Sequence, residues 1–232
     1  MGGWKDNGQR LVYGIINPFI KLLLALGITP NMITFFGLVL NVLAAGIFIY
    51  GAEYGVRNDH SYIAIACGVI LFGGLMDMVD GRLARVGGTS SDYGALYDSV
   101  LDRYSEMFMF LGICYYLISY NYFLSSLGAF VAMIGSVMVS YTRARAEGLG
   151  VSASVGIMQR PERILLISIA GISAGIFSWV YGGNVKIQWE GWPIPIFETI
   201  SIFTMPIFLL AIMANVTAVR RLLFAKQEIA KK

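Results

Sequence analysis

Six stretches of about twenty predominantly apolar residues divide this chain of 232 residues, at roughly 32–51, 61–79, 95–119, 122–142, 162–181 and 194–217. A helical run of that length satisfies its backbone hydrogen bonds internally while crossing a hydrocarbon layer. The pattern therefore predicts an all-α, polytopic membrane protein with six transmembrane helices. Composition agrees: 57% of residues are hydrophobic, 13% are charged and the mean hydropathy is +0.69, well above soluble domains. Ahead of the first stretch, residues 9–25 set apolar side chains on one helical face and Arg10 and Lys21 on the other. That arrangement predicts an interfacial amphipathic helix, ended by Thr29-Pro30-Asn31. No long linker, low-complexity tract, internal repeat or cleavable signal pattern is evident, so 1–232 reads as one integral membrane domain. Cys67 and Cys114 fall in apolar runs, as core-filling residues without a disulfide would.

Six crossings put both termini on one side. Placing them in the cytoplasm leaves fifteen of the seventeen Lys and Arg residues inside, and only Arg57 and Lys186 outside. The net charge of +3 then reports orientation in the cell membrane and contact with membrane lipids, and argues against nucleic acid.

Four aspartates, Asp77, Asp80, Asp98 and Asp102, fall within 26 residues at the cytoplasmic edge of the second and third stretches. Carboxylates beside a bilayer persist where they face a polar cavity or a cation. Asp77 and Asp80 stand three residues apart, Asp98 and Asp102 four, so each pair shares one helical face. Hard oxygen ligands with no histidine or thiolate nearby favour Mg²⁺ or Mn²⁺. His60, the single histidine, falls in an external loop, where a solvated surface role is expected. Gly81 and Gly94 remove side chains where a bulky ligand would meet the backbone, and Ala84 keeps that approach clear. Metals held by carboxylates and substrate phosphates serve phosphoryl chemistry. The competing class is a cation transporter, but its acids would sit near mid-bilayer, not at the edge beside Arg85. A purely structural membrane protein has no use for four such carboxylates.

A second charged region lies between the fourth and fifth stretches, where Arg143, Arg145, Arg160 and Arg163 outnumber Glu147 and Glu162. Topology alone explains positive charge there. Lysine would serve it equally, however, whereas the arginine fork suits a phosphate, so a phosphorylated acceptor is the other reading. Glu106 either extends the polar cavity or partners Arg103. Trp179, Tyr181, Trp189 and Trp192 read as an aromatic belt around the last external loop.

Asp77-x-x-Asp80-Gly81-x-x-Ala84-Arg85, eight residues, then Gly94-x-x-x-Asp98-x-x-x-Asp102 resembles the signature of the CDP-alcohol phosphotransferases, complete at every position. The resemblance implies six transmembrane helices, a homodimer, and transfer of a phosphoalcohol from a CDP-linked lipid donor to an acceptor hydroxyl with release of CMP. It also implies two divalent cations held by Asp77, Asp80 and Asp98, with Asp102 as the general base. Asp80, Gly81, Ala84, Arg85 and Gly94 would bind CDP. Asn31 and Thr34 would either join them or cap the helix that starts beside Pro30. The stretch Ser140-Tyr141-Thr142-Arg143-Ala144-Arg145-Ala146-Glu147 with Arg160-Pro161-Glu162-Arg163 is similar to the phosphatidylinositol-phosphate synthase and archaetidylinositol-phosphate synthase branch. That likeness implies myo-inositol 1-phosphate as acceptor, its phosphate bound by Arg143, Arg163 and Arg221 with Arg145 and Arg160 in support. Gln159 departs from the branch, which carries an acidic residue there, and so bears on how Arg163 is oriented. The external loop around Asn184 to Trp192 has no counterpart. Related acceptors and donors stay open: glycerol 3-phosphate, or a CDP-activated ceramide or archaeol lipid.

Overall fold

The computed structural model describes residues 17–189 and 195–231. A short helix α1 occupies 17–25, and residues 9–16 of the expected interfacial helix, like Trp192 of the aromatic belt, lie outside the described residues. Six long helices follow: α2 (Pro30–Tyr54), α3 (Ser61–Gly87), α4 (Asp92–Ser119), α5 (Phe123–Glu147), α6 (Arg160–Val180) and α7 (Ser201–Ile229). Before α7, β1 (Lys186–Ile187) pairs antiparallel with β2 (Phe197–Glu198), Lys186 opposite Glu198, the sole departure from an all-helical fold among the described residues.

Five of these helices, all but α4, are long and apolar enough to cross a membrane. α4 is as long, at 28 residues, but carries Asp92, Asp98, Asp102, Arg103 and Glu106. The helices also overrun the apolar stretches that announced them. α3 continues to Gly87, well past residue 79, because Arg82 and Arg85 are good helix formers. α7 begins at Ser201, later than expected, because Phe197 is used in the strand pair, and runs on to Ile229.

The chain forms two compact units, one comprising residues up to Leu40 with Phe72–Ser105, the other Asn41–Leu71 with Glu106–Lys232. In the first, Ile20, Leu23, Ile33, Met76, Val79 and Leu83 are buried. Arg82 donates from Nε and Nη2 to the Asn17 side-chain oxygen at 3.2 and 3.1 Å, fastening α1 to α3. α2 starts with Pro30 at its first helical position, where no backbone donor is needed, and the Thr29 hydroxyl accepts from the Met32 N–H at 3.4 Å. α3 ends on Gly88, whose φ of 63° suits the left-handed cap, while the Thr89 N–H reaches back to the Ala84 carbonyl.

The second unit has the larger core, built on Phe48, Ile63, Ile70, Phe110, Phe203 and Leu210. Its helices meet through small residues, as membrane helices do when close packing replaces the hydrophobic effect. A Cβ at Gly128 would stand 2.6 Å from the Phe208 ring, and one at Gly135 would stand 2.9 Å from the Ala214 methyl, so α5 and α7 approach closely only because those side chains are absent. Outward-facing residues such as Leu209, Ile212 and Val216 of α7 are apolar, which fits a lipid surround. Both cysteines are free. Trp179 and Trp189 are largely exposed, consistent with the aromatic belt.

His60 departs from the surface role expected of it: the residue is wholly buried, and neither ring nitrogen has a hydrogen-bond partner. Burial pushes its imidazole below the usual histidine range, against the opposing influence of Glu198 and Asp59. Nearby, the Tyr122 hydroxyl donates a 2.6 Å hydrogen bond to Glu198, and Arg57 sits 5.0 Å over its ring.

Candidate active site

A cavity of about 580 Å³ opens within the first unit. All seven residues expected to bind CDP line it: Asn31 and Thr34 from α2, Asp80, Gly81, Ala84 and Arg85 from α3, and Gly94 from α4, with Asp98 beside them. Helical spacing accounts for the convergence. Asp80, Gly81, Ala84 and Arg85 follow the i, i+1, i+4, i+5 pattern of one face, and Gly94 and Asp98 are one turn apart on another helix.

Asp80 is buried at 6% exposure and accepts a 2.8 Å hydrogen bond from the Thr34 hydroxyl, which also lies 3.1 Å from the Pro30 carbonyl. Asp98 and Asp77 stand close enough to repel the Asp80 carboxylate electrostatically. Asp77 and Asp102 are half-buried and do not line the cavity itself. The Asp77 carboxylate faces Gly37 of α2, where an added Cβ would come within 3.8 Å of it. At Gly94 an added Cβ would press on the Ser91 hydroxyl at 3.1 Å and reach within 3.6 Å of the Asn31 side-chain oxygen. Thr34 caps nothing, since Thr29 takes that place, and its hydroxyl is directed to a carboxylate instead. Asn31 likewise turns to the cavity.

Sequence reasoning missed part of the rim. Thr29, Thr89, Ser90 and Ser91 also line the cavity. The signal was present in Gly87-Gly88-Thr89-Ser90-Ser91, a hydroxyl-rich turn ending against the next helix.

The arginines of the second unit divide by exposure. Arg143 and Arg145 are exposed near the C-terminal end of α5, and Arg143 pairs with Glu147 at 2.9 Å, both about half-exposed. Arg160 is half-buried at the start of α6. Arg163 and Arg221 are buried. Arg143 and Arg163 both act electrostatically on Arg221, so the three residues expected to form an acceptor pocket lie near one another. Glu106 does not partner Arg103, whose guanidinium turns back to Ser99 on its own helix. It binds Arg163. Gln159 precedes α6 with its N–H bonded to the Glu162 carboxylate at 2.9 Å, and Arg163 takes its orientation from Glu106.

The model of one family, described as CDP-alcohol phosphatidyltransferase, matches residues 27–225. The chain belongs to that family. As a CDP-alcohol phosphatidyltransferase it is a transferase of phospholipid synthesis and an integral membrane protein, which removes the transporter and structural alternatives. It is 37% identical over 164 residues to the archaetidylinositol phosphate synthase of Pyrococcus horikoshii, covering 69% of this chain and 78% of that one. It is 32% identical over 177 residues to the phosphatidylinositol phosphate synthase of Mycobacteroides abscessus, covering 75% of this chain and 72% of that one. Among solved structures, the phosphatidylinositol phosphate synthase of Mycobacterium tuberculosis with CDP-DAG bound superposes with a TM-score of 0.71 at 25% identity, over 91% of this chain and 93% of the other. The same enzyme in complex with manganese and citrate gives a TM-score of 0.69 at 25% identity, over 90% and 87%.

These likenesses point to use of a divalent metal, and the donor chemistry of the first unit fits one. Asp77, Asp80 and Asp98 offer only hard oxygens, and Asp77 and Asp98 both repel the Asp80 carboxylate, a repulsion that a cation relieves. Among the described residues no three such side chains are already gathered into a coordinating group.

Proposed function

We propose that this transferase moves a phosphatidyl group from CDP-diacylglycerol to a hydroxyl of myo-inositol 1-phosphate, giving phosphatidylinositol phosphate and CMP. The observation that carries the reading is the single cavity lined by Asn31, Thr34, Asp80, Gly81, Ala84, Arg85, Gly94 and Asp98, which joins the nucleotide residues to a metal-binding carboxylate. Asp77, Asp80 and Asp98 would hold two cations, Mg²⁺ or Mn²⁺, which when bound neutralise the diphosphate of the donor. Asp80 is oriented for this by Thr34. Gly81, Ala84 and Gly94 leave room for CDP, and Arg85 supplies positive charge to its phosphates. Asp102 accepts the proton of the acceptor hydroxyl. The freed oxygen bonds to the β-phosphorus while the bond from that phosphorus to CMP breaks, and CMP carries away the electron pair.

The acceptor assignment rests on Arg143, Arg163 and Arg221, with Arg145 and Arg160 in support. Their mutual proximity favours a phosphorylated acceptor over serine, choline or ethanolamine, because three cations gathered without equal acidic charge are stabilised by a dianion. In this reading α4 is the sixth transmembrane helix, and its Asp98 lines the cavity. Both termini and the site face the cytoplasm, the N-terminal helix lies in the interface, and the enzyme is a homodimer. The similarity to the archaetidylinositol phosphate synthase makes a CDP-activated archaeol lipid the second donor to test.

The deciding experiment measures CMP release by purified protein with Mg²⁺, crossing CDP-diacylglycerol and CDP-archaeol with inositol 1-phosphate, free inositol and glycerol 3-phosphate. Release with inositol 1-phosphate alone is expected. Release with glycerol 3-phosphate alone would discard the acceptor and keep the aspartate chemistry.

A further inference from the structure

We propose that Glu106 is a positioning residue for the acceptor's phosphate, acting through Arg163. The inference rests on the acceptor reading above and deepens it. Glu106 and Arg163 have 3% and 1% of their side chains exposed, and are joined by two parallel bonds, Nε to Oε1 at 2.7 Å and Nη2 to Oε2 at 3.0 Å. This fork-on-fork pairing fixes the guanidinium plane as well as its place. From its other edge, Arg163 Nη1 donates to the Met158 carbonyl at 2.9 Å, and Met158 itself has a φ of 66°, a left-handed conformation that a methionine keeps only when something holds it. Arg163 spends three of its five N–H groups in these bonds, so the directions of the remaining two are set by Glu106 and Met158.

The segment next to Met158 is held in the same manner. Arg221 Nε donates to the Val155 carbonyl at 2.8 Å and the Thr217 hydroxyl to the Ile157 carbonyl at 2.7 Å, while Arg221 Nη1 reaches Val139 of α5 at 2.8 Å. Gly156 between them, at φ 108°, lies so close that an added Cβ would fall 2.4 Å from the Thr217 methyl. Residues 155–158 are thus a strap whose carbonyls are gripped by Arg221, Thr217 and Arg163. Two of those three grips belong to the arginines of the proposed phosphate pocket. Glu147 meets Arg143 where both are exposed, whereas Glu106 meets Arg163 in the interior. Its carboxylate lets a buried guanidinium stay buried and aligned instead of turning toward water.

Glu106→Gln keeps the shape but leaves one acceptor oxygen and a competing N–H₂ group, so Arg163 loses its second bond. The test measures KM for inositol 1-phosphate, KM for CDP-diacylglycerol and kcat, and in parallel the Kd for inorganic phosphate. In E106Q the acceptor KM and the phosphate Kd are expected to rise at least tenfold together, with kcat and the donor KM within threefold of wild type. E106D, which keeps the carboxylate on a shorter stem, should recover part of the loss, and it carries the comparison if E106Q does not fold. E106Q/R163M should bind phosphate no worse than R163M alone. Equal rises in both substrates' KM, or a phosphate Kd unchanged within twofold, would overturn the role of Glu106. Wild-type turnover with a different acceptor only would instead overturn the acceptor reading, while the phosphate Kd comparison would still decide Glu106.

Discussion

The Thr34 hydroxyl and the Asp80 carboxylate, on α2 and α3, share a 2.8 Å hydrogen bond in the buried wall of the cavity. With the Gly81 backbone, this bond holds an aspartate that Asp77 and Asp98 repel. Thr34→Val keeps the β-branched shape and removes the donor. A hydrogen bond to a charged group contributes roughly 1.5–3 kcal/mol, so affinity for the CDP-lipid should fall by about 10-fold and at most about 150-fold, and Thr34→Ser should retain most of it. Equilibrium binding of CDP-diacylglycerol to the detergent-purified variants checks this; wild-type affinity in the valine variant would leave the bond without a function.

Asp102 is half-buried and stands outside the cavity lining, one turn from Asp98 on α4. In the proposed reaction Asp102 is the base, whereas Asp77, equally half-buried and outside the lining, is a metal ligand. Asp102→Asn should lower kcat by at least about 10²-fold, the scale of a general base, while the Kd for CDP-diacylglycerol stays within a few-fold of wild type. Parallel loss of binding would move Asp102 into the ligand set.

Asp98 lines the cavity and acts on Asp80, as a metal-binding carboxylate would. Asp98→Ala and Asp77→Ala should each shift the Mg²⁺ or Mn²⁺ concentration for half-maximal CMP release upward by tenfold or more. EDTA should abolish release by the wild type. A metal titration superimposable on wild type in either variant would remove that residue from the cation site.

Much of the site was legible because it depends on spacing within single helices. Asp80, Ala84 and Arg85 on α3 and Gly94 and Asp98 on α4 reach the cavity by helical spacing, whereas Asp77, one turn from Asp80, does not line it. What could not be read are the bonds that join distant segments. Thr34 is 46 residues from Asp80 and Glu106 is 57 from Arg163, and no periodicity links them, so Thr34 read equally well as a cap and Glu106 as a partner for Arg103. His60 misled for a related reason. A lone polar residue in a short connection is expected to face water, but here Gly175 of α6 admits close packing against this corner: a Cβ there would lie 3.0 Å from the His60 carbonyl.

Of the three arginines proposed to bind the acceptor phosphate, Arg143 is the exposed one and can be altered without opening the core. Its ion pair with Glu147 is half-exposed and spans one helical turn, so it contributes at most about 0.5 kcal/mol. Arg143→Gln should therefore leave the thermal midpoint within about 2 °C while raising the KM for inositol 1-phosphate several-fold, with the donor KM unchanged. A variant whose acceptor KM equals that of wild type would confine Arg143 to topology.

His60 makes stability respond to mild acid. The folded protein holds the imidazole neutral, chiefly by burying it, with Glu198 and Asp59 only partly opposing that effect. The unfolded chain binds a proton there below about pH 6.5. Because the folded-state value lies lower, the unfolded state gains protons first, so this contribution is complete above pH 6.5 and is lost as pH falls toward the folded-state value. With neither nitrogen hydrogen-bonded, a protonated ring would have no acceptor to receive its N–H groups. The thermal midpoint in detergent should drop by more than about 2 °C between pH 7.5 and pH 5.5. In His60→Phe that drop should shrink, because the buried imidazole is no longer there to take up a proton. An identical drop in both proteins would assign the acid sensitivity to another group.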